Sequence, residues 1–237
     1  MLIDERNRFL SQREIPKLTL FKLTQHNNGF TINAQNKKNS TFDLPFQIAS
    51  GELIQVNIWD DACSAIEYRE GSKWFSEHLK SKCKLVYMPD TSNRFVDKKY
   101  AANNEIVSFS DGYPLLLIGQ ESLDDLNSKL KTPIGMERFR PNLVTSGSKA
   151  FEADSWQIIK INSIEIKVTK PCARCTIPSI NPATGELEKE PLATLNRFRK
   201  RENKIYFGQN LLHKNEGSIS CGAEVIVIDT VLKNFQI

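Results

Sequence analysis

The stretch WQIIKINSIEIKV, residues 156–168, predicts the fold class of this chain. In its second half, Ile164 and Ile166 alternate with charged residues, and this period of two is typical of a half-buried β-strand. Asn162 and Ser163 are turn residues between two runs of strand-forming residues, so the whole stretch predicts a β-hairpin.

Strand patterns outnumber helical patterns along the rest of the chain. The segment IQVNIW (54–59) alternates in the same way. Helices are predicted at 121–130, with Ser122 as the N-cap, and in the second half of 64–80. A third helix is predicted after Pro191, which suits a first-turn position. We therefore predict a mainly β (α+β) fold with peripheral helices.

Composition excludes several classes of protein. The chain has 237 residues, of which 40% are hydrophobic, and no apolar run approaches the roughly 20 residues that span a bilayer, so we expect no membrane partner. The N-terminus, MLIDERNRFLSQRE, carries charges where a signal peptide is apolar. The five cysteines of the chain are scattered, unlike those in the disulfide framework of a small secreted protein. These features favour a cytoplasmic protein with reduced thiols.

The net charge of +4 is mild, and its densest basic run is RFRKRENK, residues 197–204. Nucleic-acid binding is one interpretation of such a run, and a solvated helix end is the other. No aromatic platform repeats beside the run, so we favour the helix end and predict no nucleic-acid partner.

The segment KPCARC places Cys172 and Cys175 three residues apart. A structural zinc site needs four ligands, whereas the chain has one such pair and three scattered histidines. A thioredoxin-like redox pair begins a helix, but two prolines follow Cys175 closely. Two idle thiols in a loop remain the third alternative.

The residues around this pair resemble the MOSC family, named for the C-terminal domain of molybdenum cofactor sulfurase. The resemblance is strongest to the branch that contains YcbX and the mitochondrial amidoxime-reducing component. It covers the whole chain, because several motifs occur in the family's order: WDD (59–61), LVYMPD (85–90), DGYPLLLIGQESLDDLN (111–127), RFRPNLVTSG (138–147), AFEADSW (150–156), KPCARC (170–175) and FGQNLL (207–212).

The resemblance implies a MOSC β-barrel domain over 91–237 and a partial N-terminal MOSC-type β-barrel domain over 1–90. The family's opening strand has no counterpart here, so we interpret the sequence as N-terminally truncated, through a misassigned start or as a natural short form. A misassigned start would leave the missing strand encoded in frame upstream of Met1.

The resemblance also implies a molybdenum cofactor, in which a molybdopterin holds the metal and the protein adds one thiolate. In the family the second cysteine of the C-x-R-C motif is the metal ligand, which here is Cys175. A soft thiolate suits such a metal, and Arg174 would help to hold that thiol deprotonated. Cys172 would then be a spectator. Pyridoxal phosphate is left open as a further phosphate-bearing ligand.

Three more residues are assigned by the resemblance. Arg140 and Asn142 of the RPN segment would bind the cofactor, because a guanidinium suits a phosphate and an amide both donates and accepts hydrogen bonds. Asp111 would be a catalytic residue that delivers a proton to the substrate. The alternative for Asp111 is capping of an Asp-Gly turn, and for Arg140 it is a surface salt bridge.

The implied activity is an oxidoreductase that reduces small N-hydroxylated compounds, N–O to N–H, using electrons from a separate ferredoxin- or flavin-reductase-like donor protein. The chain shows neither a dinucleotide fingerprint nor cysteines at iron–sulfur spacing. The alternative functions are a molybdenum cofactor carrier and a sulfur-transfer protein, both without this turnover.

Overall fold

A computed structural model describes residues 1–231 except 36, 38–39, 49 and 102. Over these residues the chain is mainly β with three short α-helices, which confirms the predicted fold class. The strands are β1 (Leu2–Ile3), β2 (Phe21–His26), β3 (Gly29–Ala34), β4 (Thr41–Pro45), β5 (Leu53–Ile58), β6 (Asp61–Glu67), β7 (Lys84–Tyr87), β8 (Leu115–Gly119), β9 (Leu143–Thr145), β10 (Trp156–Ile161), β11 (Ile164–Ala173), β12 (Lys200–Arg201), β13 (Lys204–His213) and β14 (Val225–Thr230). The α-helices are α1 (Arg69–Leu79), α2 (Gln120–Asn127) and α3 (Leu192–Phe198).

The chain divides into two compact units, and each contains more than one stretch of sequence. The first unit comprises Met1–Phe95, Ile106–Asp111 and Ile180–Leu187. The second unit comprises Val96–Glu105, Gly112–Ser179 and the chain from Glu188 onward, of which residues 232–237 lie outside the described residues. The domain boundary at residue 90 stays a prediction.

The first unit contains two antiparallel sheets, in the strand orders β1-β7-β6-β5 and β2-β3-β4. The predicted alternation in 54–59 is confirmed, because Val56 and Ile58 of β5 are fully buried while the residues beside them are exposed. Trp59 lies beyond the strand, in the turn of the β5–β6 hairpin. Trp59 therefore lies in an exposed turn that directly follows a strand with a buried face.

The second unit is built on a seven-stranded sheet in the order β14-β10-β11-β13-β8-β9, with β12 paired to β13. The predicted hairpin at 156–168 is confirmed: β10 and β11 are antiparallel, and Ile161 lies opposite Ile164. Asn162 has a left-handed φ of 52°, which suits the turn. Ile164 and Ile166 are buried in the core on one face of this sheet.

The helices α2 and α3 pack with Phe139 and Phe207 into a separate core cluster. The predicted helix at 121–130 is confirmed, although it begins at Gln120 and ends at Asn127. Ser122 is not the N-cap, and this part of the prediction was wrong. The capping position falls on Gly119, while the Ser122 hydroxyl is buried and accepts a hydrogen bond from the Phe151 backbone N–H at 2.8 Å.

The basic run at 197–204 is not a solvated helix end throughout. Helix α3 ends at Phe198, and the next residue, Arg199, is buried. Its guanidinium donates to the carboxylate of Asp154 at 2.7 Å and to the carbonyl of Tyr206 at 3.1 Å. The tertiary partner Asp154, which is distant in sequence, explains why this charge is inside. Its burial removes Arg199 from any surface patch.

Candidate functional site

The C-x-R-C segment lies at the C-terminal end of strand β11, where the pairing of this strand with β13 ends. Pro171 pairs with Gln209 and Ala173 with Tyr206 on β13, and the Arg174 backbone N–H donates to the carbonyl of Ile205 at 2.7 Å. Cys172 and Cys175 are both half-buried, and neither is in a disulfide. The sheet therefore fixes the main chain up to Arg174 and leaves two accessible thiols at its end.

The alternatives for the cysteine pair can be compared with this geometry. The five cysteines all lie among the described residues and form no disulfide with one another. Within the described residues, no group of three or more His, Cys, Asp and Glu side chains is placed to hold a metal ion, as structural zinc requires. A 3₁₀ turn, Ile177–Ser179, follows Cys175 instead of the α-helix that lowers thiol pKa values in redox motifs.

The Arg174 side chain joins the cysteine segment to the RFRPN segment. One nitrogen of its guanidinium, Nη2, donates to the carbonyl of Phe139 at 2.9 Å, and the group lies over the Phe139 ring, 5.4 Å from its centroid. The other, Nη1, lies 3.3 Å from Sγ of Cys172. The thiol that this guanidinium contacts is therefore that of Cys172, which the sequence analysis treated as a spectator.

The Arg174 side chain is not fully satisfied. Its Nε is buried and has no hydrogen-bond partner in the described part of the chain. Buried donors in native proteins are almost always paired. This N–H is therefore a donor that a ligand could use at the same guanidinium that ties the two segments together.

Neighbouring residues of the RFRPN segment differ in their exposure. Phe139 is fully buried and packs on Phe207 with ring centroids 4.3 Å apart. Arg140 is exposed and has a left-handed φ of 54°. Arg138 donates to Glu188 at 2.8 Å. Phe139 thus anchors the segment in the core, and the two arginines flank that anchor.

Asn142 uses its side-chain oxygen to extend the sheet. Its backbone N–H donates to the carbonyl of Leu116 at 2.9 Å, and its Oδ1 accepts from the Leu116 backbone N–H at 2.9 Å. The family resemblance assigns this amide to the cofactor, with both donation and acceptance available to it. In the structure the acceptor is occupied by β8, and the exposed side chain retains its Nδ2 donors.

The segment DGYP contributes a second unsatisfied group. The hydroxyl of Tyr113 is buried without a partner among the described residues, and burial raises the pKa of Tyr113 above its usual value, with Tyr100 and Asp97 adding to the increase. The Nζ of Lys170 lies 4.9 Å from the Tyr113 ring centroid and 4.5 Å from that of Tyr100. Lys170 precedes the cysteines on β11, so this aromatic pair borders the same strand.

Asp111 belongs to the first unit, where its carboxylate has two partners. The indole N–H of Trp59 donates to its Oδ1 at 2.7 Å, and a guanidinium nitrogen of Arg13 lies 3.7 Å from the same oxygen. The side chain is 75% exposed. The placement of Asp111 relative to Cys175 stays a prediction, since the two residues lie in different units.

The main chain around Asp111 is held by Arg94, a buried residue that the sequence analysis did not single out. Its guanidinium donates to the carbonyls of Ser108, Ser110 and Asp111 at 3.0, 2.6 and 2.9 Å. Its Nε donates to the carboxylate of Asp61 at 2.8 Å. The WDD motif was the available signal, because Trp59 and Asp61 both act on this loop.

Two further cysteines are core residues of the first unit. Burial raises the pKa of the Cys63 thiol and of the Cys83 thiol. A thiol that retains its proton is a poor nucleophile and a poor metal ligand. These two thiols are therefore poorly suited to thiolate chemistry.

Together these features define a mainly β protein of two units in which an accessible cysteine lies next to an arginine-linked pair of loops. Comparison with known families places the chain more closely. The MOSC domain matches residues 104–226, and the MOSC N-terminal beta barrel domain matches residues 1–82. The chain belongs to the MOSC family, which confirms the resemblance noted in the sequence.

Several curated relatives match nearly the whole chain. Mitochondrial amidoxime-reducing component 1 of Mus musculus is 31% identical over 246 residues, which cover 96% of this chain and 71% of that protein. The Homo sapiens protein of the same name is 30% identical over 247 residues, covering 96% and 72%. Mitochondrial amidoxime reducing component 2 of Rattus norvegicus is 32% identical over 213 residues, covering 84% and 61%.

No helix among the described residues combines the length and the apolar character needed to cross a bilayer. The relatives' names describe them as mitochondrial. The cytoplasmic location of this chain stays a prediction from its sequence.

Proposed function

We propose that this protein binds a molybdenum cofactor and reduces small N-hydroxylated compounds with electrons from a separate donor protein. The observation that carries the proposal is the hydrogen bond from Arg174 to the carbonyl of Phe139, which joins the segment of Cys175 to the segment of Arg140. The names of the relatives, amidoxime-reducing components, supply the substrate class.

The residues present fit such a cofactor. Cys175 is a half-buried free thiol, and the described residues offer it no cluster of further metal ligands, so a metal there would take its other ligands from the cofactor. Arg140 is exposed, and Arg174 has a buried donor without a protein partner. One soft ligand beside two arginines suits a metal and a phosphate carried by the same molecule.

Each residue would have a distinct role. Cys175 would supply the thiolate ligand, and Arg140 would pair with the phosphate. Arg174 would hold the two loops together and donate its free N–H to the cofactor, while Asn142 would donate from Nδ2. Pyridoxal phosphate binding remains a further prediction on the same phosphate-binding argument.

The reaction consumes two electrons and two protons: the N–OH bond is broken, an N–H bond forms, and water leaves. The cofactor, when bound, supplies the two-electron exchange. Asp111 would relay one of the protons from solvent through Oδ2, since Trp59 and Arg13 act on Oδ1 of this exposed side chain, and solvent would supply the other proton. The donor protein would replace the electrons after each turnover.

The proposal is tested on protein purified from a host that makes the cofactor. We expect molybdenum and pterin in near-equal amounts, and reduction of benzamidoxime to benzamidine with an artificial electron donor. Protein from a cofactor-deficient host is the matched control and should contain neither. Bound cofactor without reduction would favour the carrier alternative, and protein without pterin would contradict the proposal.

A further inference from the structure

The WDD motif surrounds a turn whose backbone is unfavourable for the residue that occupies it. Ile58 pairs with Asp61 across the β5–β6 hairpin, so Trp59 and Asp60 form a two-residue loop. Trp59 has a φ of 55°. A bulky residue in the left-handed region costs on the order of 1–3 kcal/mol, and such positions cluster at functional sites.

Burial of the ring does not account for this arrangement, because Trp59 is 45% exposed. Its position is nevertheless fixed by two neighbours. Phe9 contacts it edge-on, with ring centroids 5.5 Å apart, and the Arg13 guanidinium lies 4.3 Å from the ring centroid. The indole is therefore held in place while much of its surface faces water.

The indole N–H is directed at a carboxylate. It donates to Oδ1 of Asp111 at 2.7 Å. Arg13, which covers the ring, also approaches this oxygen, at 3.7 Å. Two donors from different parts of the first unit thus converge on one oxygen of Asp111.

The other end of the motif holds the main chain of the same loop. Asp61 accepts a hydrogen bond from Arg94. Arg94 in turn donates to the carbonyls of Ser108, Ser110 and Asp111. Trp59 therefore fixes the side chain of Asp111, while Asp61 acts on its backbone through Arg94. The β5–β6 hairpin therefore positions both the side chain and the backbone of Asp111.

We propose that Trp59 is a positioning residue: its indole N–H holds Oδ1 of Asp111 and thereby orients Oδ2 for the proton relay proposed above. This inference rests on the proposed function. It gives the WDD motif a role, because the strained Trp59 backbone is offset by a contact that only an aromatic N–H donor at this turn provides.

The contact itself can be tested without cofactor or activity. In ¹H–¹⁵N spectra the indole resonance of Trp59 is identified by its loss in Trp59→Phe, and that of Trp74 by its loss in Trp74→Phe. We expect Asp111→Ala to shift the Trp59 indole resonance upfield and to leave that of Trp74, which belongs to another core cluster, in place. A Trp59 resonance that does not move would overturn the inference.

The role is tested by kinetics on cofactor-loaded protein. Trp59→Phe keeps an aromatic ring and removes the N–H, so we expect kcat for benzamidoxime to fall roughly tenfold, with KM within about twofold. Cofactor content and thermal unfolding temperature should match the wild type.

An unchanged kcat in Trp59→Phe, or a loss that follows lower cofactor content or stability, would overturn the positioning role. Wild-type protein that leaves benzamidoxime unreduced would instead overturn the proposed function, and this inference with it. The spectra would still report whether the contact between Trp59 and Asp111 exists.

Discussion

Two loops that carry predicted site residues are each fastened by an arginine, and the two arginines differ in one respect. In the first unit, the Arg94 side chain is 3% exposed and donates from all three of its nitrogens, to Asp61 and to the loop that ends at Asp111. In the second unit, Arg174 donates to Phe139 and contacts Cys172, but its Nε has no partner among the described residues.

The difference indicates how complete each loop is without a ligand. A buried guanidinium in which each of the three nitrogens donates to a protein acceptor needs no ligand to satisfy those nitrogens. A buried donor left unpaired costs free energy, unless a bound group completes it. The Asp111 loop is therefore a self-sufficient support, whereas the cysteine segment has unused binding capacity. The Tyr113 hydroxyl is also buried without a partner among the described residues. Substitution of Tyr113 can therefore show whether an unpaired buried group always indicates a bound ligand.

The largest expected effect comes from Cys175→Ser. Serine replaces a soft thiolate with a hydroxyl that stays protonated at neutral pH, so the bond from the protein to molybdenum should be lost. We expect benzamidoxime reduction to fall to background while much of the pterin is retained through contacts to Arg140 and Asn142. Metal analysis, pterin fluorescence and a reduction assay measure the three quantities.

Cys172→Ser is the matched control for that variant. It should keep the metal and most of the activity, because the proposed metal ligand is Cys175 and Cys172 contacts Arg174 through its sulfur instead. Equal losses in the two variants would point to a zinc or disulfide role, and no loss in either would return both cysteines to the idle-thiol alternative.

Arg94→Met tests the self-sufficient loop. It leaves Asp61 and three carbonyls without their donor, and we expect the free energy of unfolding to fall by about 3 kcal/mol, because the carbonyls lose hydrogen bonds from a buried charged group. Urea unfolding followed by tryptophan fluorescence measures this. Arg8→Met, which removes an ion pair to Asp4 from a side chain that is 61% exposed, should change it by less than about 1 kcal/mol. Comparable losses would mean that burial of Arg94 adds nothing.

Arg174→Gln tests the incomplete loop. It removes the bond to the Phe139 carbonyl and the unpaired Nε donor, so we expect cofactor affinity to fall roughly tenfold, with a smaller change in unfolding than in Arg94→Met. Pterin retained after dialysis measures the affinity. A large loss of stability with normal pterin content would show that Arg174 is structural in the same sense as Arg94.

Tyr113→Phe should have the smallest effect, and of opposite sign. Removing an unsatisfied buried hydroxyl should raise the free energy of unfolding by about 1 kcal/mol. Because the folded-state pKa of Tyr113 is raised, its proton contributes stability that is present below about pH 10 and lost as the pH rises further. Above about pH 10, the variant should therefore lose less of its free energy of unfolding than the wild type does. Urea titrations of both proteins at the same pH values measure this difference. Loss of cofactor in Tyr113→Phe would instead assign the hydroxyl to the ligand.

The sequence alone determined the elements whose pattern is local. Alternating residues predicted β5 and the β10–β11 hairpin, and the turn residues at 162–163 joined the two strands as expected. Local propensity failed where a tertiary partner competes: Ser122 serves the backbone of Phe151 and does not cap its own helix. The sequence predicted that Arg199 is solvated, but the fold buries it against Asp154, which is distant in sequence.

The candidate site divides in the same way. The motifs identified the family from residue order alone, and the resemblance predicts Cys175, Arg140 and Asn142 as site residues. The partners of those residues could not be read from the chain, because they are separated by long stretches of sequence. Arg174 reaches Phe139 across 35 positions, and Trp59 reaches Asp111 across 52. Residue types are encoded locally, whereas contacts between distant segments exist only once strands have paired and cores have closed.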